Sequence, residues 1–339
     1  MTLAQEILAG SRLALARLLS QIENGTPQGR AGLADLFPYT GRAHLIGVTG
    51  APGTGKSSLV NALAQRYRQP GDGMASRRVG IVAVDPSSPF TGGAILGDRV
   101  RMRDLAGDPG VFIRSMASRG SLGGLAAATS GVVQALDAAG FEVVLIETVG
   151  AGQAEVDIAR LAHTTLVIEA PGLGDDIQAI KAGILEIADV LVINKADRPG
   201  VETTERALKS MLALAHPVAH VFRDVRSTVP GAQAESHIQD EKKVESLWVP
   251  PVCKTVAIEG IGIGELTLAI QQHLGHLKQT GELALRERSR LQAELEGLLR
   301  DVLVARWRMA LSDGKYEEML QRMLERQVSP WQAVEELIA

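Results

Sequence analysis

One loop constrains the fold of this chain more than any other feature, because it lies between a short apolar strand at 45–48 and a helical stretch. The pattern is G-x-x-x-x-G-K-[ST], in the strand–loop–helix context that such a motif requires. Its glycines let successive backbone N–H groups turn inward on phosphate oxygens, where the helix N-terminus also favours negative charge. We expect Lys56 to reach the β- and γ-phosphates and Ser57 to bind Mg²⁺. The predicted nucleotide contacts here are Gly50, Ala51, Pro52, Gly53, Thr54, Gly55, Lys56, Ser57 and Ser58.

Short β-branched runs alternate with helical stretches along the middle of the chain. The predicted strands are 45–48, 79–84, 143–146, 165–168, 190–193 and 252–256. This alternation predicts the α/β class: a mostly parallel sheet covered by helices on both faces, as in a P-loop NTPase. We predict three parts, an N-terminal helical arm (1–40), the P-loop domain (41–277) and a C-terminal helical extension (278–339).

Composition excludes several classes of protein. The net charge is −4 and the 35 basic residues are scattered, which argues against nucleic acid as the main ligand. No apolar run is long enough to span a bilayer, and residues 1–25 lack the order of a secretory signal, so we expect a cytoplasmic protein. The single cysteine, Cys253, has no metal-ligand spacing and is interpreted as a small apolar strand residue.

The chain becomes wholly helical after Gly275. Apolar positions in this region fit an a/d-like seam: Leu291, Leu295, Leu298, Leu299, Val302, Leu303 and Trp307. Two interpretations of the seam are open, packing against the chain's own domain and the interface of a dimer.

Magnesium requires hard oxygen ligands, and three carboxylates lie at suitable places. Asp85 ends the second predicted strand, Asp98 lies in a glycine-rich loop, and Glu147 ends the strand at 143–146. Glu147 also opens an E-x-x-G segment whose Gly150 is placed to contact the γ-phosphate, as in a switch that moves when that phosphate leaves. A solvated surface carboxylate is the alternative interpretation of Asp98.

The base is predicted from an N-K-x-D segment at the end of a late strand. Asp197 can accept hydrogen bonds from N1–H and N2–H₂ of guanine, and adenine lacks both donors. Lys195 is expected to lay its stem over the base, and Asn194 to tie the segment to the P-loop. Ala257, after the last strand, is expected to donate its backbone N–H to guanine O6. The sequence therefore predicts GTP and GDP as ligands.

Taken together, these motifs resemble the MeaB/ArgK family of P-loop GTPases. The resemblance runs from about residue 3 to the C-terminus, and it rests on the segments at 50–57, 84–89, 92–102, 147–153 and 171–181. It implies magnesium ligands at Ser57, Asp85, Asp98 and Glu147. One departure is the segment 255–259, where a Ser-Ala pair is common in the family.

The resemblance also implies a function and partners. Members serve adenosylcobalamin-dependent acyl-CoA mutases, gating the loading of intact cofactor and the removal of damaged cofactor, and pair as homodimers through C-terminal helices. An adenosyltransferase is a further candidate partner. The family's switch III loop falls on 171–181, where the candidate coupling residues are Asp175, Asp176, Gln178 and Lys181. A helix N-terminal acidic cap is the alternative for the two aspartates.

Phosphoryl transfer requires charge neutralisation and a positioned water. Lys56 and Mg²⁺ held by Glu147 supply the charge neutralisation. The residue that follows the switch glycine is Ala151, which cannot orient the water as a glutamine at this position could. We therefore predict slow intrinsic hydrolysis that accelerates when a partner orders the switch and brings Gln153, Glu155 or Asp157 into place.

Two other classes stay open. A small-molecule kinase of the basic amino acid transport type requires an acceptor pocket with a general base, and no such constellation stands out in the sequence. A nickel-type metallochaperone GTPase requires Cys or His ligands, and the seven histidines are not joined by cysteines. His273 and His276 lie one turn apart, and we expect both at solvated helix positions.

Overall fold

A computed structural model gives the fold of the chain and describes residues 2–71, 73, 75–86, 102–105, 107–118, 124–148, 154–172, 186–214, 247–312 and 314–338. Within these described residues, seven strands form one parallel sheet in the order β3-β2-β4-β1-β5-β6-β7. The strands are β1 (His44–Gly50), β2 (Val79–Pro86), β3 (Val111–Ser118), β4 (Val143–Thr148), β5 (Thr164–Glu169), β6 (Val190–Asn194) and β7 (Val252–Thr255). The predicted α/β class with a parallel sheet is confirmed.

Strand β3 is not among the strands predicted from the sequence. It carries Arg114 and Ser115 in its middle, so it lacks the continuous apolar run of a strand buried on both faces. Among the described strands it lies at the edge of the sheet, paired with β2. Its arginine forms an ion pair of 2.5 Å with Glu23 of an N-terminal helix, which explains how a charged residue is accommodated in the strand.

Helices precede, connect and follow these strands. They are α1 (Leu3–Leu8), α2 (Arg12–Glu23), α3 (Pro27–Leu36), α4 (Lys56–Arg68), α5 (Gly124–Ala138), α6 (Ala154–Leu161), α7 (Val201–Leu214), α8 (Ile263–Thr280), α9 (Glu282–Ala310), α10 (Lys315–Leu324) and α11 (Pro330–Ile338). Helices α2 and α3 begin after Ser11 and Thr26, whose side chains accept hydrogen bonds from backbone N–H groups of the first turn. Helix α8 ends at Gly281 in the left-handed conformation, φ 77°. Its His273 is fully buried, with Nδ1 2.9 Å from Thr164 Oγ1, so the expectation of a solvated helix position is wrong for this residue.

Apolar cores cover both faces of the sheet. Along β4, Val144 and Ile146 face a core shared with α1, α2, α5 and α6, whereas Val143 and Leu145 face a core shared with α4 and α8. The strand is therefore apolar on both faces, because successive side chains point to opposite sides of the sheet. Gly47 in β1 allows close packing, since a Cβ there would lie 2.5 Å from Ile158 Cγ2 of α6.

The chain divides into two compact units, Met1–Arg290 and Leu291–Ala339. Within the second unit, Trp307 Nε1 donates to Leu337 O at 2.8 Å, and Met319 is buried. The domain boundaries at 40 and 277 remain predictions. Among the described residues, no helix combines the length and the apolar character needed to cross a bilayer.

Candidate functional site

The phosphate loop leaves the carboxyl end of β1, the central strand, and enters α4 at Lys56. Two of its glycines occupy positions that other residues cannot take. Gly50 has φ 139° and a Cβ there would lie 2.1 Å from Ile168 O, while Gly55 has φ 92° and a Cβ would lie 2.4 Å from Asn194 Nδ2. Both positions therefore require glycine for backbone conformation and for space.

The side chain of Lys56 is almost fully buried at the start of α4. Its ammonium donates to Gly50 O at 2.8 Å and to Ala51 O at 3.0 Å, so the charge is held among the backbone groups of the loop. A cation at this position, next to a helix N-terminus, gives the loop two independent sources of attraction for phosphate.

The structure brings together two of the predicted magnesium ligands. Ser57 Oγ donates to Glu147 Oε1 at 2.6 Å, and the Glu147 side chain is only 4% exposed. Glu147 reaches this position because β4 lies beside β1, with Val48 opposite Glu147 in the register. A hydroxyl and a carboxylate are hard oxygen donors, so this pair fits Mg²⁺.

The other magnesium candidates are only partly visible. The backbone of Asp85 follows Val84, whose register partner in β4 is Thr148, so Asp85 lies at the same edge of the sheet as Glu147. The side chain of Asp85 is outside the described part of the structure. Several predicted residues lie outside the described ranges altogether: Asp98, Gly150, Gln153, Asp175, Asp176, Gln178 and Lys181.

The N-K-x-D segment is built around the buried side chain of Asn194, which is 2% exposed at the end of β6. Its Nδ2 donates to Thr54 O of the phosphate loop at 2.8 Å. Its Oδ1 accepts from the backbone N–H of Ala257 at 3.1 Å and from Thr255 Oγ1 at 3.2 Å. Asn194 thus ties three loops together at the carboxyl edge of the sheet.

The two charged residues of the same segment are Lys195 and Asp197. Lys195 adopts a left-handed backbone, φ 57°, and its ammonium donates to Gly53 O at 2.6 Å. This extends the lysine stem along the phosphate loop. Asp197 is exposed and can accept hydrogen bonds from a bound base.

Thr255 is a site residue that the sequence analysis did not assign. It ends β7, it is fully buried, and its hydroxyl completes the hydrogen bonds of Asn194. No local pattern in the sequence marks this role, because the acceptor, Asn194, lies 61 residues away in the chain.

Comparison with known protein families decides which class of P-loop protein this is. The family described as methylmalonyl Co-A mutase-associated GTPase MeaB matches residues 15–312. The chain belongs to the MeaB family. A putative GTPase of Pyrococcus abyssi is 40% identical over 336 residues, which is 99% of this chain and 95% of that protein.

Further relatives agree with the MeaB assignment. GTPase ArgK of Escherichia coli is 36% identical and covers 83% of this chain and 79% of its own length. A crystal structure of a LAO/AO transport system kinase superposes with a TM-score of 0.66 at 25% identity, covering 99% of this chain and 95% of that chain. The predicted family is confirmed, and this MeaB protein binds guanine nucleotide and hydrolyses GTP.

Proposed function

We propose that this MeaB protein is a GTP-dependent switch that gates adenosylcobalamin loading into an acyl-CoA mutase, and removal of damaged cofactor from it. The observation that carries the proposal is the match to the mutase-associated GTPase family over residues 15–312. The candidate clients are methylmalonyl-, isobutyryl-, 2-hydroxyisobutyryl- and ethylmalonyl-CoA mutases, with an adenosyltransferase as a further partner.

The nucleotide chemistry follows from the phosphate loop. Lys56 neutralises charge on the β- and γ-phosphates, and Ser57 and Glu147, with Asp85 and Asp98, hold Mg²⁺. The ion supplies further neutralisation of the charge that develops on the transferred phosphoryl group. The Ser57 to Glu147 hydrogen bond of 2.6 Å supports this assignment, because it holds two hard ligands together.

Guanine selectivity is proposed for Asp197 and Lys195. Asp197 accepts from N1–H and N2–H₂ of guanine, and the Lys195 stem covers one face of the base. Ala257 N already donates to Asn194 Oδ1 in this structure. A role for this N–H toward guanine O6 therefore requires a bifurcated hydrogen bond or a local rearrangement of the loop.

Slow turnover is proposed because hydrolysis still needs a positioned water, for which Gln153 is the candidate. The partner would order the switch around Gln153 and engage switch III through Asp175, Asp176, Gln178 and Lys181. Strand β5 supports this arrangement, because it is the neighbour of β1 and leads through Pro171 into switch III.

We further propose that the protein is a homodimer paired through its C-terminal helices. Residues 291, 295, 298 and 302 of α9 follow the alternating spacing of a coiled-coil seam, and Leu295 is 66% exposed. Nearby apolar side chains that are also exposed within the second unit are Leu298, Leu299, Leu303, Leu324 and Ile338. Such a set of exposed apolar residues is typical of a protein–protein interface.

The test is GTP turnover with Mg²⁺, measured for the protein alone and with each of the four mutases. Stimulation by one mutase, lost in Gln153→Ala but retained in the surface variant Gln69→Ala, supports the proposal and names the client. Hydrolysis that no mutase alters would refute the mutase switch. Product analysis addresses the kinase alternative, because free phosphate indicates a GTPase and a phosphorylated acceptor indicates a kinase.

A further inference from the structure

Two buried threonines meet at the carboxyl edge of the sheet, beside the candidate magnesium site. Thr49 precedes Gly50, the residue with which β1 ends, and Thr148 follows Glu147 at the end of β4. Thr148 Oγ1 donates a hydrogen bond to Thr49 Oγ1 at 3.3 Å. Because the two residues are only 1% and 0% exposed, solvent does not compete for this hydrogen bond.

The two threonine side chains lie on the face of the sheet opposite to the Glu147 carboxylate. That carboxylate reaches Ser57 at the start of α4, and successive side chains of a strand point to opposite faces. Thr148 therefore points away from α4. Thr49 does so as well, because its neighbour Val48 belongs to the core shared with α4. The hydroxyl pair can therefore influence Glu147 through the backbone of β4, without contact with an ion or a nucleotide.

The backbone register of β1 with β4 ends just before the two threonines, at Val48 with Glu147. One residue further, Thr49 is paired with a residue of β5 and Thr148 with a residue of β2. Among the described residues, no register pair joins the two threonines themselves. Their hydroxyls therefore extend the contact between β1 and β4 by one residue, at the point where β1 leads into the phosphate loop.

The end of β4 requires accurate placement, because Mg²⁺ demands near-octahedral geometry with oxygen ligands at about 2.1 Å. Ser57 and Glu147 belong to different elements, α4 and β4, and their side-chain oxygens lie 2.6 Å apart. A shift of about 0.5 Å in the end of β4 would move the carboxylate out of the geometry that the ion requires. Residues that hold metal ligands in place therefore contribute to the affinity for the metal.

Stability alone does not explain the two buried hydroxyls. A valine has almost the shape of a threonine and suits a buried parallel strand, whereas a buried hydroxyl loses its hydrogen bonds with water. One hydrogen bond between two neutral hydroxyls offsets only part of that cost, and at 3.3 Å it is longer than the usual distance of about 2.8 Å. The pair is better explained by the spacing at which it holds the two strand ends.

We propose that Thr148 and Thr49 are positioning residues for the magnesium site. Their hydrogen bond keeps the end of β4 close to the end of β1, and so keeps the Glu147 carboxylate beside Ser57 when the ion binds. The proposal rests on the proposed magnesium role of Glu147. In this role the threonines contact neither the ion nor the nucleotide, so their loss weakens the binding of Mg²⁺ without removing a ligand.

The test uses the full-length protein loaded with a fluorescent, non-hydrolysable GTP analogue. The dissociation rate of the analogue is measured at a series of free Mg²⁺ concentrations, after addition of excess unlabelled GTP. We expect bound Mg²⁺ to slow dissociation, because the ion links the phosphates to its protein ligands. The Mg²⁺ concentration that gives half of this slowing reports the affinity of the site for the ion, and it does not depend on hydrolysis.

Thr148→Val removes the hydrogen bond and retains the shape of the side chain. Its half-effect Mg²⁺ concentration should rise about fivefold, as expected for the loss of one neutral hydrogen bond. The dissociation rate in EDTA, where no Mg²⁺ is bound, should stay within about twofold of the original rate, because the threonine does not contact the nucleotide. Thr148→Ser keeps the hydroxyl and should restore the original Mg²⁺ dependence.

Thr49→Val removes the same hydrogen bond from the other strand, and it provides the measurement if Thr148→Val does not fold. Each single variant should raise the half-effect Mg²⁺ concentration about fivefold, and the double variant should also raise it only about fivefold, because one bond is lost once. A rise of about 25-fold in the double variant would mean that the threonines act independently, and it would overturn the proposed pair.

The matched control is Thr164, another fully buried threonine of the sheet, at the opposite end of the strands. Its hydroxyl lies 2.8 Å from His44 Nε2 and 2.9 Å from His273 Nδ1. Thr164→Val should lower the melting temperature at least as much as Thr148→Val, yet leave the Mg²⁺ dependence unchanged. An equal shift in the Mg²⁺ dependence of Thr164→Val would show a general loss of rigidity and would overturn the positioning role.

Glu147→Gln separates this inference from the magnesium role on which it rests. Loss of the charged ligand should raise the half-effect Mg²⁺ concentration well beyond the change in Thr148→Val. If Glu147→Gln leaves the Mg²⁺ dependence unchanged, the magnesium role of Glu147 is wrong and the positioning role fails with it. If Glu147→Gln is impaired while folded Thr148→Val and Thr49→Val respond to Mg²⁺ as the original protein does, the magnesium role stands and the positioning role is overturned.

Discussion

The sharpest prediction concerns Asn194, because its side chain joins three loops of the nucleotide site and is 2% exposed. Asn194→Ala removes the hydrogen bonds to Thr54 O, Ala257 N and Thr255 Oγ1, of 2.8, 3.1 and 3.2 Å. Each lost bond leaves a polar partner unsatisfied and costs about 1 kcal/mol, so the total is about 3 kcal/mol.

Most of this loss should appear in binding, because the three loops form the proposed nucleotide site. If about 2 to 3 kcal/mol falls on the bound state, the affinity for GDP decreases roughly 30- to 150-fold. Isothermal titration of GDP in the presence of Mg²⁺ measures the change. Thr255→Val removes one of the three hydrogen bonds and retains the shape of the side chain. This variant should weaken GDP binding by only about fivefold.

Two outcomes would contradict this reasoning. If Asn194→Ala bound GDP about as well as the original protein, the hydrogen bonds of Asn194 would not organise the site. If Thr255→Val were as damaging as Asn194→Ala, the threonine would act through packing, and the sum over three bonds would be wrong. Melting curves of both variants show whether the loss is confined to binding.

Three further predictions follow from other parts of the structure. Asp197→Asn should exchange guanine for xanthine nucleotides in competition binding, because an amide donor matches the O2 acceptor of xanthine; retained GDP preference would count against this assignment. Burial, with further electrostatic contributions from His163 and His273, lowers the pKa of His44 well below 6.5, so the unfolded state binds its proton more readily. The free energy of unfolding should therefore fall as pH drops below about 6.5, by up to about 1.4 kcal/mol per pH unit, and denaturant titrations should show a smaller slope in His44→Gln. Asp137 accepts from the backbone N–H groups of residues 41, 42 and 43, so Asp137→Ala should destabilise the fold by about 2 to 4 kcal/mol in the same assay, and a change below about 0.5 kcal/mol would refute that role.

Much of the fold could be predicted from the sequence. Six strands were predicted from short β-branched runs, and five of these are largely apolar, as expected in a parallel sheet that is buried on both faces; the sixth, 252–256, carries Lys254 and Thr255. The edge strand β3 was missed because Arg114 interrupts that signal and its partner, Glu23, is distant in the sequence. An ion pair between an edge strand and an N-terminal helix leaves no local pattern.

The candidate site also combines residues that the sequence predicts with contacts that only the fold creates. Lys56, Ser57 and Asn194 could be predicted because their roles depend on local motifs that follow strands. The partnership of Ser57 with Glu147 is different, because it depends on β4 lying beside β1 with Val48 opposite Glu147. The side-chain contacts of Gln153 and switch III remain predictions.

The sequence alone determined the chemistry of the phosphate and base loops, because glycines, a lysine and an N-K-x-D segment act over a few adjacent residues. Only the tertiary structure decided that Thr255 supports Asn194 and that Arg286 of α9 meets Asp189 before β6. These partners come from strands and helices far apart in the chain. The order of strands in the sheet and the packing of α8 and α9 bring them together, and no local pattern of residues encodes those distances.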